Sequence, residues 1–105
     1  MAQFNVYPNP NVAAQGTVPF VVDVQSGLID ALPTRLVMPL SRVGVKQARL
    51  PLRLCLPVEV DGATLVLMPH LAAAIDKSLL RKPVLSVARH ASEFTAALDA
   101  VISGF

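Results

Sequence analysis

Leu50–Met68 reads LPLRLCLPVEVDGATLVLM. Leu50, Leu52, Leu54, Leu56, Val58 and Val60 alternate strictly with Pro51, Arg53, Cys55, Pro57, Glu59 and Asp61. A period of two places alternate side chains on opposite faces of a strand, so one face is apolar throughout. Asp61-Gly62 then supplies the two residues of a tight hairpin turn, in which both positions need positive φ. Counting outward from that turn sets Val60 opposite Ala63, Val58 opposite Leu65 and Leu56 opposite Leu67. Every pair is apolar, and a slip of one residue would turn the whole set outward. Pro57 cannot donate to a ladder, which marks an edge strand or a bulge.

The same period runs upstream. In FVVDVQ, Phe20, Val22 and Val24 share one parity and Asp23 and Gln25 the other, the pattern of a half-buried strand. QFNVY predicts a short first strand with Phe4 and Val6 inward, and TRLVMPL a strand with Leu36, Met38 and Leu40 on one face. Asn9–Gly16 reads as a loop and SGLID as a turn. Downstream, the alanine-rich PHLAAAID predicts a short helical turn and KPVLSV a further strand.

The last segment changes period. Phe94, Ala97, Leu98, Val101 and Ile102 fall at i, i+3, i+4, i+7 and i+8, the stripe of an amphipathic helix. The helix starts between Ala88 and Ser92, with Ser92 or Ser86 as its cap, and Gly104 sits where a helix-ending glycine belongs. About six strands and one terminal helix predict a small, mainly β, antiparallel barrel or half-barrel of α+β class. Residues 1–105 read as one domain, with no internal repeat or low-complexity segment.

Composition narrows the function. Of 105 residues, 53% are apolar, which supplies a core and argues against disorder. No apolar run approaches the roughly 20 residues of a membrane span. The start MAQFNVYPNP has no secretory pattern, and the single cysteine, Cys55, fits a reducing cytoplasm. Net charge is only +2, but Arg35, Arg42, Lys46, Arg49 and Arg53 lie between Asp30 and Glu59 with no acid among them. That stretch is either a solvated face or a basic patch for an acidic partner. The partner would be protein before nucleic acid, since no aromatic is interleaved for base stacking.

Catalytic chemistry is sparse. His70 and His90 stand 20 residues apart without metal-ligand spacing, and no nucleophile elbow or phosphate-cradling glycine loop occurs. No cofactor is implied. A ribonuclease would need an arginine with an acid–base partner, for which Arg35 and Asp23 are the candidates. The C-terminal Phe105 poses a separate question: a large ring at a chain end is covered either by its own domain or by another protein.

QFNVY, FVVDVQSGLID and TRLVMPLS, in that order and spacing with the glycine-ended helix, resemble the CcdB family of toxins from Gln3 to Phe105. The resemblance implies a five-stranded antiparallel sheet with a smaller sheet and a C-terminal helix, an SH3-like fold related to the Kid and MazF ribonuclease toxins. It also implies a homodimeric, cytoplasmic bacterial toxin of a type II toxin–antitoxin system, of the kind that maintains plasmids. Such a toxin enters the central opening of the DNA gyrase A subunit dimer and traps the enzyme on cleaved DNA. It makes and breaks no bond itself and binds no nucleic acid specifically alone. A disordered segment of a CcdA-like antitoxin wraps and neutralises it, and the basic run Arg35, Arg42, Lys46, Arg49 and Arg53 is the surface expected to receive that segment. The family's gyrase contacts fall on Leu28, Ile29 and Asp30 in the turn, and on Asp99, Ile102, Ser103, Gly104 and Phe105 at the helix end. The family ends in Trp-Gly-Ile, whereas this chain ends in Ser103-Gly104-Phe105. Two alternatives follow: a member that binds only antitoxin, or an endoribonuclease of the related fold.

Overall fold

The computed structural model describes residues 3–42 and 56–104. Among these residues, seven strands form one sheet: β1 (Asn5–Pro8), β2 (Phe20–Asp23), β3 (Thr34–Arg42), β4 (Pro57–Val60), β5 (Ala63–Leu67), β6 (Ala73–Asp76) and β7 (Leu85–Ser86). Their order is β4-β5-β3-β2-β1-β7, and each pairing is antiparallel. The nine-residue β3 organises the rest. One edge holds β2; the other holds β6 along Thr34–Val37 and β5 along Leu40–Arg42. One helix, α1 (Ala91–Ser103), closes the nearly barrel-like sheet.

The hairpin forms in the register the turn implies. Val60 faces Ala63 and Val58 faces Leu65, and the Leu67 amide donates to the Leu56 carbonyl at 2.9 Å. Asp61 and Gly62 take φ of 53° and 80°, as the turn requires. Pro57 lies on the outermost of the described strands. The predicted strand positions Leu50 to Cys55 lie outside the described residues.

Alternation divides the sheet's two faces. Val6, Val22, Met38, Leu40, Val60, Leu65 and Leu67 point to the main core, with Phe94 and Ala97 of α1 as its lid. The Phe4 and Phe94 rings meet with centroids 5.7 Å apart. Their neighbours in sequence, Tyr7, Val21 and Val37, form a second cluster with Leu80 on the opposite face. The second face is therefore covered as well, which the period-two reading of β2 as half-buried did not anticipate.

Three local expectations change. The alanine-rich PHLAAAID is helical only over the 3₁₀ turn Pro69–Leu71; Ala73–Asp76 is strand, because the first half of β3 offers an open edge. KPVLSV contributes only Leu85–Ser86, paired to Asn5 and Val6. Neither Ser92 nor Ser86 caps α1; the Ser86 hydroxyl accepts from the Ala88 amide at 3.2 Å, and the 3₁₀ turn Ala88–His90 runs directly into the helix. The C-terminal expectation holds. Gly104 adopts φ 78° and its amide donates to the Ala100 carbonyl at 3.0 Å.

Candidate functional site

The turn between β2 and β3 is built to present apolar side chains. Ser26 is extended, its hydroxyl accepting from the Leu28 amide at 3.1 Å, and this starts the 3₁₀ turn Gly27–Ile29. So short a turn cannot fold over its own residues. Leu28 is 95% exposed and Ile29 48%. The helix end is similar. The stripe is buried at Phe94 and Ala97, half-buried at Leu98, and uncovered at Val101 and Ile102, the latter 77% exposed. Asp99, Ser103 and Gly104 are exposed, with the Ser103 hydroxyl donating to the Asp99 carbonyl at 2.7 Å. Phe105 lies outside the described residues.

Both segments border the same side of the sheet. Val24, two residues before Ser26, packs against the main core as Leu98 does. Val24 and Gln3 line a shallow depression of about 180 Å³ together with Leu98 and Asp99. The Gln3 amide nitrogen donates to the Val24 carbonyl at 3.1 Å. Phe4, at φ 67°, holds a backbone conformation rare for a bulky residue while its ring fills the core under α1. Leu71, 54% exposed, lies in the 3₁₀ turn Pro69–Leu71 against which the helix packs.

Beneath the turn lies a polar network. Arg35 is 1% exposed and Asp23 fully buried. The Arg35 Nε and Nη2 donate to the two Asp23 carboxylate oxygens at 2.8 and 3.0 Å, a bidentate fork. Its Nη1 donates to Asp30, whose side chain is 45% exposed, and Nη2 also reaches the Gln25 carbonyl at 3.3 Å. Burial alone would push the guanidinium pKa down. The hydrogen bonds and charges of Asp23 and Asp30 outweigh it and hold the pKa above its ordinary value. The group stays a cation. Gln25, 4% exposed, completes the network: its side-chain nitrogen donates to the Ile29 carbonyl at 3.0 Å and its oxygen accepts from the Leu36 amide at 2.9 Å.

The expected basic surface is corrected at its first member. Arg35 points inward because it is the counter-ion of buried Asp23, so it is not presented to a partner. Arg42 is exposed, with Nε donating to the Gly16 carbonyl at 2.8 Å. Lys46, Arg49 and Arg53 lie outside the described residues. Arg35 and Asp23, the ribonuclease candidates, do meet, but neither reaches solvent. His90 pairs with Glu93 at 2.8 Å, and among the described residues no group of histidine, cysteine and acidic side chains could hold a metal. No described helix is long and apolar enough to cross a membrane. Gln25 is the residue the sequence reading missed. Its signal was its parity, shared with Val21 and Asp23 and opposite to Val22 and Val24.

The described residues thus form a mainly β domain with two exposed apolar elements, the Gly27–Ile29 turn and the end of α1. The family model described as CcdB protein matches residues 3–104, and the chain belongs to the CcdB family. No curated protein matches it. Membership supports the reading as the toxin of a toxin–antitoxin module.

Proposed function

We propose that this protein is a non-enzymatic poison of DNA gyrase, acting as a homodimer on the A subunit in the bacterial cytoplasm and neutralised by a CcdA-like antitoxin. The observation that carries the reading is the exposure of Leu28 and Ile102, 95% and 77%, at positions that the resemblance to the CcdB family assigns to gyrase contact. A large apolar side chain taken from water into an interface contributes about 1.5–3 kcal/mol. A symmetric dimer offers each residue twice to a two-fold target, so the contributions act together. Ile29, Asp30, Asp99, Ser103, Gly104 and Phe105 complete the proposed gyrase surface.

The antitoxin reading keeps Arg42, Lys46, Arg49 and Arg53 as the basic surface, with Arg35 withdrawn into the fold. Binding there weakens with salt, because exposed charges are screened. Burial of Arg35 and Asp23 argues against the ribonuclease alternative. One observation favours a member that binds antitoxin alone. Ser103 stands where the family has tryptophan, and loss of such an anchor costs on the order of 2 kcal/mol, about 30-fold in affinity. Expression in a gyrase-sensitive bacterium separates the two. Growth arrest with chromosome breakage, relieved by co-expressed antitoxin, is the result expected of a gyrase poison. Unimpaired growth at high toxin level is the result expected of an antitoxin-only binder.

A further inference from the structure

We propose that Gln25 and Arg35 are positioning residues that hold the Gly27–Ile29 turn in the conformation that meets the target. This inference rests on the gyrase reading and assigns roles to two side chains that never reach the interface themselves.

The turn's own restraints are few. Its local bonds are long: the Leu28 amide reaches the Ser26 hydroxyl at 3.1 Å, the Ile29 amide the Ser26 carbonyl at 3.3 Å, the Asp30 amide the Gly27 carbonyl at 3.2 Å, and the Leu32 amide the Ile29 carbonyl at 3.2 Å. Leu28, Ile29 and Leu32 are 95%, 48% and 46% exposed, so packing supplies little. Segments with few buried apolar contacts and exposed backbone bonds open most readily.

What fixes the turn comes from below. Gln25 spans the gap: one end of its amide binds the Ile29 carbonyl inside the turn and the other binds the Leu36 amide of β3. Arg35 pins the far side, holding Asp30 through Nη1 while its fork is anchored on buried Asp23. Asp23 in turn accepts from the Gln25 backbone N–H at 3.0 Å, so the carboxylate that anchors Arg35 also fixes the backbone from which the Gln25 side chain springs. Gln25 reaches in from just beyond β2 and Arg35 from β3, and both grip groups directly after Leu28. A ligand or loop held in its bound conformation loses less entropy on binding, so such a device acts on affinity through preorganisation.

The test compares Gln25→Met, similar in length but unable to clamp, with Val60→Ala, a core truncation in the β4–β5 hairpin. Each is measured for thermal unfolding, for amide exchange at Asp30 and Leu32 against Leu67 and Val87, and for affinity to purified gyrase A per folded molecule. Gln25→Met is expected to unfold cooperatively, to exchange at least about tenfold faster at Asp30 and Leu32 only, and to bind about tenfold more weakly. Val60→Ala is expected to lose stability with unchanged affinity. Arg35→Lys, which keeps the charge but not the fork, carries the same test if Gln25→Met does not fold. Wild-type binding with Gln25→Met and Arg35→Lys behaving like Val60→Ala overturns this inference alone. Wild-type protein that binds no gyrase overturns the functional reading and this one with it.

Discussion

Leu28→Ala and Phe94→Ala make the same kind of change at opposite ends of the burial scale. Leu28 is 95% exposed, and Phe94 is 1% exposed with its ring 5.7 Å from that of Phe4. Truncating Leu28 removes almost no buried area from the fold, so stability should stay within about 0.5 kcal/mol of wild type. In the bound state the same truncation strips about three carbons from the interface. At roughly 0.8 kcal/mol each this is about 2.4 kcal/mol, or roughly fiftyfold in affinity. Phe94→Ala opens the core under α1 and should cost about 3–5 kcal/mol. For a domain of this size that lowers Tm by more than about 12 °C. Circular dichroism melts and calorimetric titration of gyrase A with both variants read the two effects separately. Leu28→Ala with full affinity, or with a Tm loss like that of Phe94→Ala, would refute the assignment of the turn as a contact surface.

The remaining expectations concern the tail, the hairpin and acid stability. Deleting Ser103–Phe105 should abolish growth inhibition and leave Tm nearly unchanged, because Phe94 and Ala97 still anchor the helix; Ser103→Trp should strengthen gyrase trapping by on the order of tenfold. Gly62→Val forces a β-branched residue to φ 80° and should lower stability by about 1–2 kcal/mol in a urea titration without altering gyrase affinity. Asp76 accepts from the Ser78 amide at 2.9 Å, and this bond, followed by the Ser78 hydroxyl, holds its pKa below the ordinary aspartate range. The fold therefore favours the charged form. Its contribution is present at neutral pH and disappears as pH falls through the lowered pKa, so wild type and Asp76→Ala should differ most at neutral pH and converge in acid.

The hairpin was legible because two independent signals agreed: the turn chemistry of Asp61-Gly62 and the alternation on either side of it. The inward face of β2 and the glycine end of α1 were legible for the same reason. The second face was not. Asp23 and Gln25 look solvent-facing within their own strand, and their burial depends on Arg35, twelve residues beyond Asp23. A local pattern cannot report a partner that arrives by sheet pairing. The same ion pair, with Asp23, draws Arg35 out of the basic surface. Residues 73–76 show the opposite error, where alanine propensity pointed to helix and the open edge of β3 imposed a strand. Of the proposed site, the positions came from family resemblance. The exposure of those among the described residues came from the structure, since the stripe through Val101 and Ile102 gives no sign of where the sheet beneath it stops.

The most direct measurement is a cleavage assay with purified gyrase, supercoiled DNA and ATP. The account predicts that this protein causes linear DNA to accumulate with gyrase A bound to its ends, that Leu28→Ala weakens this, and that RNA incubated with the protein alone stays intact. RNA cleavage without gyrase, or no trapped complex at saturating protein, would contradict it.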